Sequence, residues 1–177
     1  MRDRQRSILG RGAASRIRGQ ETMSSLPPPR QVRFPTSHSM GALWVRDRDP
    51  EGYAFWELWG DARGIVIVPG GKELRLNVTP QASTDLSPLA VLQPDDLQYL
   101  QLSSTRVNNA GLAHIKGLTG LRVLWLYDTQ VSDAGLVPLY GLTGLRVLNL
   151  RSTLVSSAGV DALQQALPQC EFRRTWK

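Results

Sequence analysis

Few side chains in this sequence have the chemistry of a catalytic or metal-binding group, and none forms a recognised pattern. His38 has no carboxylate at a spacing typical of metal sites, and we expect His114 on the solvent side of a helix. The single cysteine, Cys170, excludes an internal disulfide and any CxxC motif, and we expect it to be buried. GxSxG and HExxH motifs are also absent. The sequence therefore predicts no enzyme activity, no metal and no cofactor.

Two other groups are weaker candidates for ligand binding. The Gly-Gly-Lys sequence at 70–72 resembles part of a phosphate loop, but Val66 and Glu73 stand where Gly and Ser/Thr are required. Trp44, Trp56 and Trp59 have the composition of a stacking cluster, yet such aromatics more often form the core of a small β-rich unit. We expect no nucleotide site, and we place these tryptophans in the core.

The elements that position all other residues come from a pattern that recurs three times, every 24 residues, between residues 97 and 168. Such a repeat is typical of solenoids, whose units bury their apolar side against their neighbours. Threonines, valines and glycines also recur in register. The leucines at the first, fourth and sixth places of each block are Leu97, Leu100, Leu102, Leu121, Leu124, Leu126, Leu145, Leu148 and Leu150.

Each block predicts a strand, a bend and a short helix. The leucines of LxxLxL point inward and the residues between them point outward. Thr105, Thr129 and Thr153 are expected to bond to loop backbone, and Asn109, Asp133 and Ser157 to cap the helices. Apolar residues at steps of three then give each helix one buried stripe. The predicted fold class is α/β, a short solenoid with parallel strands on the concave side and short helices on the convex side.

The blocks LRVLWLYDTQVSDAGLVPLYGLTG and LRVLNLRSTLVSSAGVDALQQALP resemble leucine-rich repeats of the ribonuclease-inhibitor-like superfamily, in particular bacterial proteins. The resemblance is close over residues 97–168 and loose over 73–96. It implies a curved scaffold that commonly binds protein partners and has no shared catalytic residues. With about three and a half repeats, the chain is too short to wrap a partner.

Residues 34–80 predict a β-rich N-terminal cap with strands near 42–46, 54–59, 64–68 and 73–78. We expect strand 64–68 to form a hairpin with strand 73–78 and so to cover the sheet edge. Leu76 and Val78 lie one period before Leu100 and Leu102, which makes residues 73–96 a degenerate first repeat. Residues 169–177 are expected to form a C-terminal cap strand and tail, with Cys170 and Phe172 inward.

Residues 1–33 contain eight arginines, Asp3 and Glu21, a net charge of +6, while the remaining residues balance to zero. Low hydrophobicity and three consecutive prolines predict a disordered basic tail. Three interpretations stay open: a dispensable leader with Met23 as the true start, an electrostatic arm, or a targeting segment. No apolar run is long enough to cross a bilayer, and the single cysteine favours the cytoplasm.

The most informative surface is the outward side of the predicted strands. Exposed aromatics and an arginine on a rigid sheet have the composition of a binding hot spot, although they can also serve cross-strand packing. The favoured function is a non-enzymatic module that binds a protein partner; the alternative is an anionic-surface or nucleic-acid tether acting through the tail. The predicted contact residues are Tyr99, Gln101, Ser103, Val123, Trp125, Tyr127, Val147, Asn149 and Arg151.

Overall fold

The computed structural model describes residues 26–48 and 54–174 and shows a mixed α/β fold built on an open sheet. Seven strands form the main sheet in the order β3-β2-β5-β6-β7-β8-β9, and two form a small antiparallel sheet, β1-β4. From β5 to β9 every neighbouring pair is parallel, whereas β2 is antiparallel to β3 and β5. The strands are Arg30–Arg33 (β1), Gly41–Asp47 (β2), Glu57–Asp61 (β3), Ile65–Val68 (β4), Lys72–Val78 (β5), Tyr99–Gln101 (β6), Val123–Trp125 (β7), Val147–Asn149 (β8) and Glu171–Arg173 (β9).

The parallel strands pair at the period of the sequence repeat. Leu76 lies beside Leu100, Leu100 beside Leu124, and Leu124 beside Leu148. All four leucines are buried, as are all nine repeat leucines. The predicted register of Leu76 with Leu100 and the inward direction of the leucines are therefore confirmed. Burial of one face fixes the register, because a slip of one residue would expose every leucine.

The chain leaves each repeat strand in the same way. The hydroxyls of Thr105, Thr129 and Thr153 donate to the carbonyls of the leucines three residues earlier, at 2.6, 2.7 and 2.7 Å. This confirms their predicted bonding to loop backbone. The residue just before each threonine is left-handed, with φ between 53° and 54° at Ser104, Asp128 and Ser152. The three blocks therefore share a backbone conformation as well as a sequence pattern.

The helices behind the sheet are mostly 3₁₀. They are the 3₁₀ helices Ala82–Thr84, Ser87–Val91, Ala113–Ile115 and Asp133–Leu139, and the α-helices Asn109–Leu112 (α1) and Ser157–Ala166 (α2). A step of three keeps apolar side chains on one face of a helix with three residues per turn, and Leu136, Leu139 and Leu142 are all buried. In α2 Val160 and Leu163 are buried, and Leu167 at the C-cap is also buried, so the apolar residues step by three and then four, which suits an α-helix.

The helix N-caps lie one residue earlier than predicted. They are Asn108, Ser132 and Ser156. The predicted cap Asp133 instead accepts two bonds from the next cap, from Ser156 N at 2.8 Å and Ser156 Oγ at 2.6 Å. Asn109 also makes two bonds with Ser132: its Oδ1 accepts from Ser132 N at 2.9 Å, and its Nδ2 donates to Ser132 Oγ at 2.8 Å. Since these side chains reach forward by about one repeat, they join neighbouring blocks rather than cap their own helices. The sequence pattern places Pro138 early in its helix, where a missing N–H is tolerated, but this residue lies near the end of the 3₁₀ helix Asp133–Leu139.

The predicted hairpin between 64–68 and 73–78 is wrong. β5 pairs instead with β2, which has the same length and buries Leu43 and Val45. β4 pairs with β1. A Cβ at Gly70 would come 1.5 Å from the carbonyl oxygen of Pro27. This glycine therefore permits the backbone at Pro27 to approach closely, and it does not mark a hairpin.

The predicted basic tail is also too long, because Arg30–Arg33 forms β1. Val32 in this strand is fully buried. Arg30 donates to the carbonyl of Lys72 at 3.0 Å and to Gln98 Oε1 at 3.3 Å, and its burial lowers the pKa of its guanidinium. Residues 1–25 lie outside the described residues, so the disorder predicted there and the open interpretations of that segment stay predictions.

Candidate functional site

The face of the main sheet opposite the leucine core, called here the front face, carries the candidate site. Strand alternation places the side chains between the buried leucines on this face. One row across the sheet contains Trp44, Arg75, Tyr99 and Val123, each the registered neighbour of the last. The next row contains Ala42, Asn77, Gln101, Trp125 and Asn149.

The centre of the front face holds a pocket of about 170 Å³, called here the Arg75 pocket. The Cζ of Arg75 lies 6.0 Å from the ring centre of Trp56 and 5.8 Å from that of Trp125. Trp56 meets Tyr99 edge to face, with ring centres 4.6 Å apart. The pocket therefore combines aromatic walls with one guanidinium. Its lining residues are Trp56, Arg75, Tyr99, Leu100, Gln101, Val123 and Trp125.

A charged network supports one wall of this pocket. Glu73 is 1% exposed and pairs with Arg46 at 2.8 Å and Arg122 at 3.2 Å. Arg46 also donates to the hydroxyl of Tyr99 and packs over the rings of Trp56 and Tyr99, at 4.7 and 4.8 Å. Because Glu73 alternates with Leu74 and Leu76 in the sequence, the strand pattern predicts that it faces solvent. That prediction is wrong, because two arginines and an aromatic wall cover the carboxylate. The network holds Tyr99 and Trp56 in fixed positions.

Burial changes the proton affinity of two groups that line the pocket. Desolvation by burial lowers the pKa of the Arg75 guanidinium. The pKa of the Tyr99 phenol is raised, first by burial and then by the nearby carboxylate of Glu73. Both shifts follow from the partial burial of these side chains, since burial disfavours the charged form of each group.

A second hollow of about 230 Å³ adjoins the first and shares Trp125 and Gln101 with it. Asn149 Oδ1 accepts from the backbone N–H of Arg151 at 3.1 Å, and Gln101 Oε1 accepts from that of Ser103 at 3.0 Å. These equivalent bonds follow the last residue of β6 and of β8 in the same way. The hollow is lined by Gln101, Ser103, Trp125, Tyr127, Asn149 and Arg151.

The front face brings together eight of the nine predicted contact residues in these two pockets. The ninth, Val147, is partly buried and lies on β8 beside Val123. Sequence reasoning missed Arg75, whose position one period before Tyr99 was a usable signal. It considered Trp56 as part of a stacking cluster but favoured the core, and Trp56, which precedes β3, has no register signal. The predicted core position of the tryptophans is wrong: Trp59 is 43% exposed, and Trp44 and Trp56 are only partly buried.

Basic side chains continue from the front face to the edge where the parallel strands begin. A polar hollow of about 330 Å³ there is lined by Arg48, Arg122 and Arg146, with Asp95 as its acidic residue. Arg122 connects this hollow to the Glu73 network. The zero net charge predicted for residues 34–177 thus conceals a local excess of arginine on one side of the molecule.

A separate apolar surface lies at the β3 edge of the main sheet. All five residues of β3 are exposed, and Trp59 donates to the carbonyl of Ile67 in β4 at 3.2 Å. None of the described residues of this surface pairs across a sheet with any of the nine predicted contact residues. Its large exposed side chains are Phe55, Leu58, Trp59, Ile65 and Ile67.

The candidate chemical groups named from the sequence lie away from the front face pockets. Cys170 is buried, which raises the pKa of its thiol to about 11. His38 is exposed beside Ser37, and His114 is partly exposed on its 3₁₀ helix. Within the described residues, no group of three or more His, Cys, Asp or Glu side chains is arranged to hold a metal ion. In the same part of the chain, no helix has the length and apolar character needed to cross a bilayer.

Comparison with known proteins assigns no family to this chain. No protein-family model matches it, and no curated protein matches it in sequence.

Proposed function

We propose that this chain is a short leucine-rich repeat solenoid, with β5 as the strand of a degenerate first repeat, whose front face binds a protein partner without catalysis. The parallel pairing of β5 to β9 at the sequence period supports the solenoid. β2 covers the β5 edge of the parallel strands and so serves as part of an N-terminal cap.

The observation that carries the proposal is the Arg75 pocket at the centre of the front face. Buried tryptophan, tyrosine and arginine side chains at the centre of a surface dominate binding energy at protein interfaces. The pocket is lined by two tryptophans, one tyrosine and one arginine. Its volume of about 170 Å³ is below the roughly 300–1,000 Å³ of small-molecule sites, which favours a single side chain of a partner as its occupant.

A selection from a random-peptide display library on the full chain tests this function. We expect peptides enriched by the wild type to lose binding to Trp125→Ala, because this change removes a wall of both front-face pockets. The matched control is Trp59→Ala, which removes the same side chain from the β3 edge and should retain binding. Peptides that require Trp59 but not Trp125 would place the binding surface elsewhere and contradict the proposal.

A further inference from the structure

The guanidinium of Arg75 has no acidic partner among the described residues. Its Nε donates to Asn77 Oδ1 at 2.7 Å, and none of the ion pairs in residues 26–48 and 54–174 includes it. Arg46 and Arg122, by contrast, share the carboxylate of Glu73. A partly buried charge without a countercharge is unfavourable. An anion brought by a ligand would remove that cost.

One further polar group of a residue that lines the Arg75 pocket lacks an acceptor. The indole Nε1–H of Trp125 is buried and has no hydrogen-bond partner in the described part of the chain. The acceptor oxygen of Gln101 is already bonded to the backbone of Ser103. A carboxylate suits these donors, because its two oxygens match the fork of an arginine and still accept a further bond.

The surroundings of the pocket favour an acidic protein segment over a nucleic acid. Single-stranded nucleic acids stack their bases on free aromatic faces. Here Arg46 lies over Trp56 and Tyr99, and Arg75 lies over Trp56 and Trp125, so guanidinium groups already occupy the rings. Arg46, Arg75 and Arg122 carry three positive charges in the pocket and the network behind its wall, against the single carboxylate of Glu73. The polar hollow at the edge where the parallel strands begin adds further positive charge beside the pocket.

We propose, resting on the protein-binding function above, that the Arg75 pocket takes an aspartate or glutamate side chain from an acidic segment of the partner protein. Arg75 pairs with the carboxylate, and the rings of Trp56 and Trp125 exclude water from the pair. Further acidic residues of the same segment lie toward Arg48, Arg122 and Arg146 at the strand edge. Arg75 is therefore the residue that determines specificity for an acidic side chain.

The test uses peptides selected on the full-length wild type and counter-selected on Trp125→Ala. The enriched peptides should carry Asp or Glu at one fixed position. Changing that residue to Asn or Gln should weaken binding to the wild type by about tenfold or more, as expected for loss of a hydrogen-bonded charge. The same change in the peptide should have little effect on its binding to Arg75→Gln, because the Arg75 guanidinium and the peptide carboxylate form one interaction. Arg106→Gln is the matched control, since it removes an equal charge from an exposed side chain outside the pocket.

The outcomes separate this inference from the function on which it rests. Peptides that need Trp125 but carry no fixed acidic residue, or that bind Arg75→Gln as well as wild type, would overturn the inference and leave the protein-binding function standing. A selection in which no peptide distinguishes wild type from Trp125→Ala would overturn both. Tighter binding of an oligothymidylate or of anionic vesicles than of the acidic peptides, lost in Arg75→Gln, would assign the pocket to a different anion.

Discussion

Leu124 and Trp125 are adjacent in the chain and lie on opposite sides of β7. Leu124 is fully buried between Leu100 and Leu148, whereas Trp125 is partly exposed and lines both front-face pockets. The packing of one residue therefore fixes the position of the other. This alternation, repeated from β5 to β8, is how the leucine pattern of the sequence positions the candidate site.

The first prediction compares these two neighbours. Leu124→Ala should lower the free energy of unfolding by about 2–5 kcal/mol, because it leaves a cavity in the core. Trp125→Ala should cost less, about 1–2 kcal/mol, since its ring is only partly buried and its contact with Arg75 is a cation–π interaction. Urea unfolding followed by circular dichroism measures both values. A larger loss for Trp125→Ala would show that the inside and outside of β7 are assigned wrongly.

The sequence alone was sufficient to predict the parallel pairing and the leucine register of the repeat strands. A fixed period, inward leucines and registered threonines each impose a local geometry that neighbouring blocks reinforce, so Leu76, Leu100 and Leu124 occupy the predicted places. The nine predicted contact residues, from Tyr99 to Arg151, follow from the same alternation. The helix type was missed, although the apolar step of three is the period of a 3₁₀ helix.

The second prediction concerns the buried carboxylate of Glu73. Glu73→Gln should destabilise the fold by about 3 kcal/mol, because it leaves Arg46 and Arg122 without their shared countercharge. The change should also loosen the wall formed by Tyr99, so Trp fluorescence of the folded protein should shift. Glu171→Gln is the control: its pair with Arg173 is exposed and should contribute little. Equal unfolding free energies for the two variants would contradict the role assigned to Glu73.

The third prediction explains a glycine that recurs in every block. Alanine is favoured over glycine by about 1 kcal/mol inside a helix, yet we expect Gly159→Ala to destabilise α2. A Cβ at Gly159 would lie 2.2 Å from Asp133 Oδ1, which would displace Asp133 from its two bonds with Ser156.

The sign of this effect should reverse when Asp133 is removed. In an Asp133→Ala background, Gly159→Ala meets no carboxylate and should stabilise the protein, as helix propensity dictates. Thermal unfolding of the two single variants and the double variant gives the coupling. Destabilisation of the same size in both backgrounds would mean that contact with Asp133 is not the reason for the glycine.

The fourth prediction uses the raised pKa of Cys170. Burial raises the pKa of this thiol from 9.0 to about 11, so the unfolded chain ionises first as the pH rises. The contribution of Cys170 to stability is therefore present below about pH 9 and is lost between about pH 9 and 11. The measurement is the difference in unfolding free energy between wild type and Cys170→Ala, under reducing conditions, across this range. A difference that stays constant from pH 8 to 11 would contradict a buried, protonated thiol.

The N-terminal half could not be predicted to the same depth, because its pairings join segments with no shared period. β4 and β5 are separated by a glycine-rich turn, which favours a hairpin between them. The partner of β5 is instead determined by β2. Leu43 and Val45 give β2 a buried face as long as that of β5, and no local signal reveals that match. The position of Trp56 over Tyr99 depends on this arrangement, so the aromatic wall of the Arg75 pocket was also beyond sequence reasoning.

The most direct test of the central claim, that the front face is the binding surface, is a ¹H–¹⁵N spectrum of the tryptophan indoles during titration with a selected peptide. The account predicts that the Trp125 signal shifts progressively, because its buried N–H gains a partner, while the Trp59 signal stays in place. Assignment uses Trp125→Phe and Trp59→Phe. A shift of the Trp59 signal with an unchanged Trp125 signal would contradict the account.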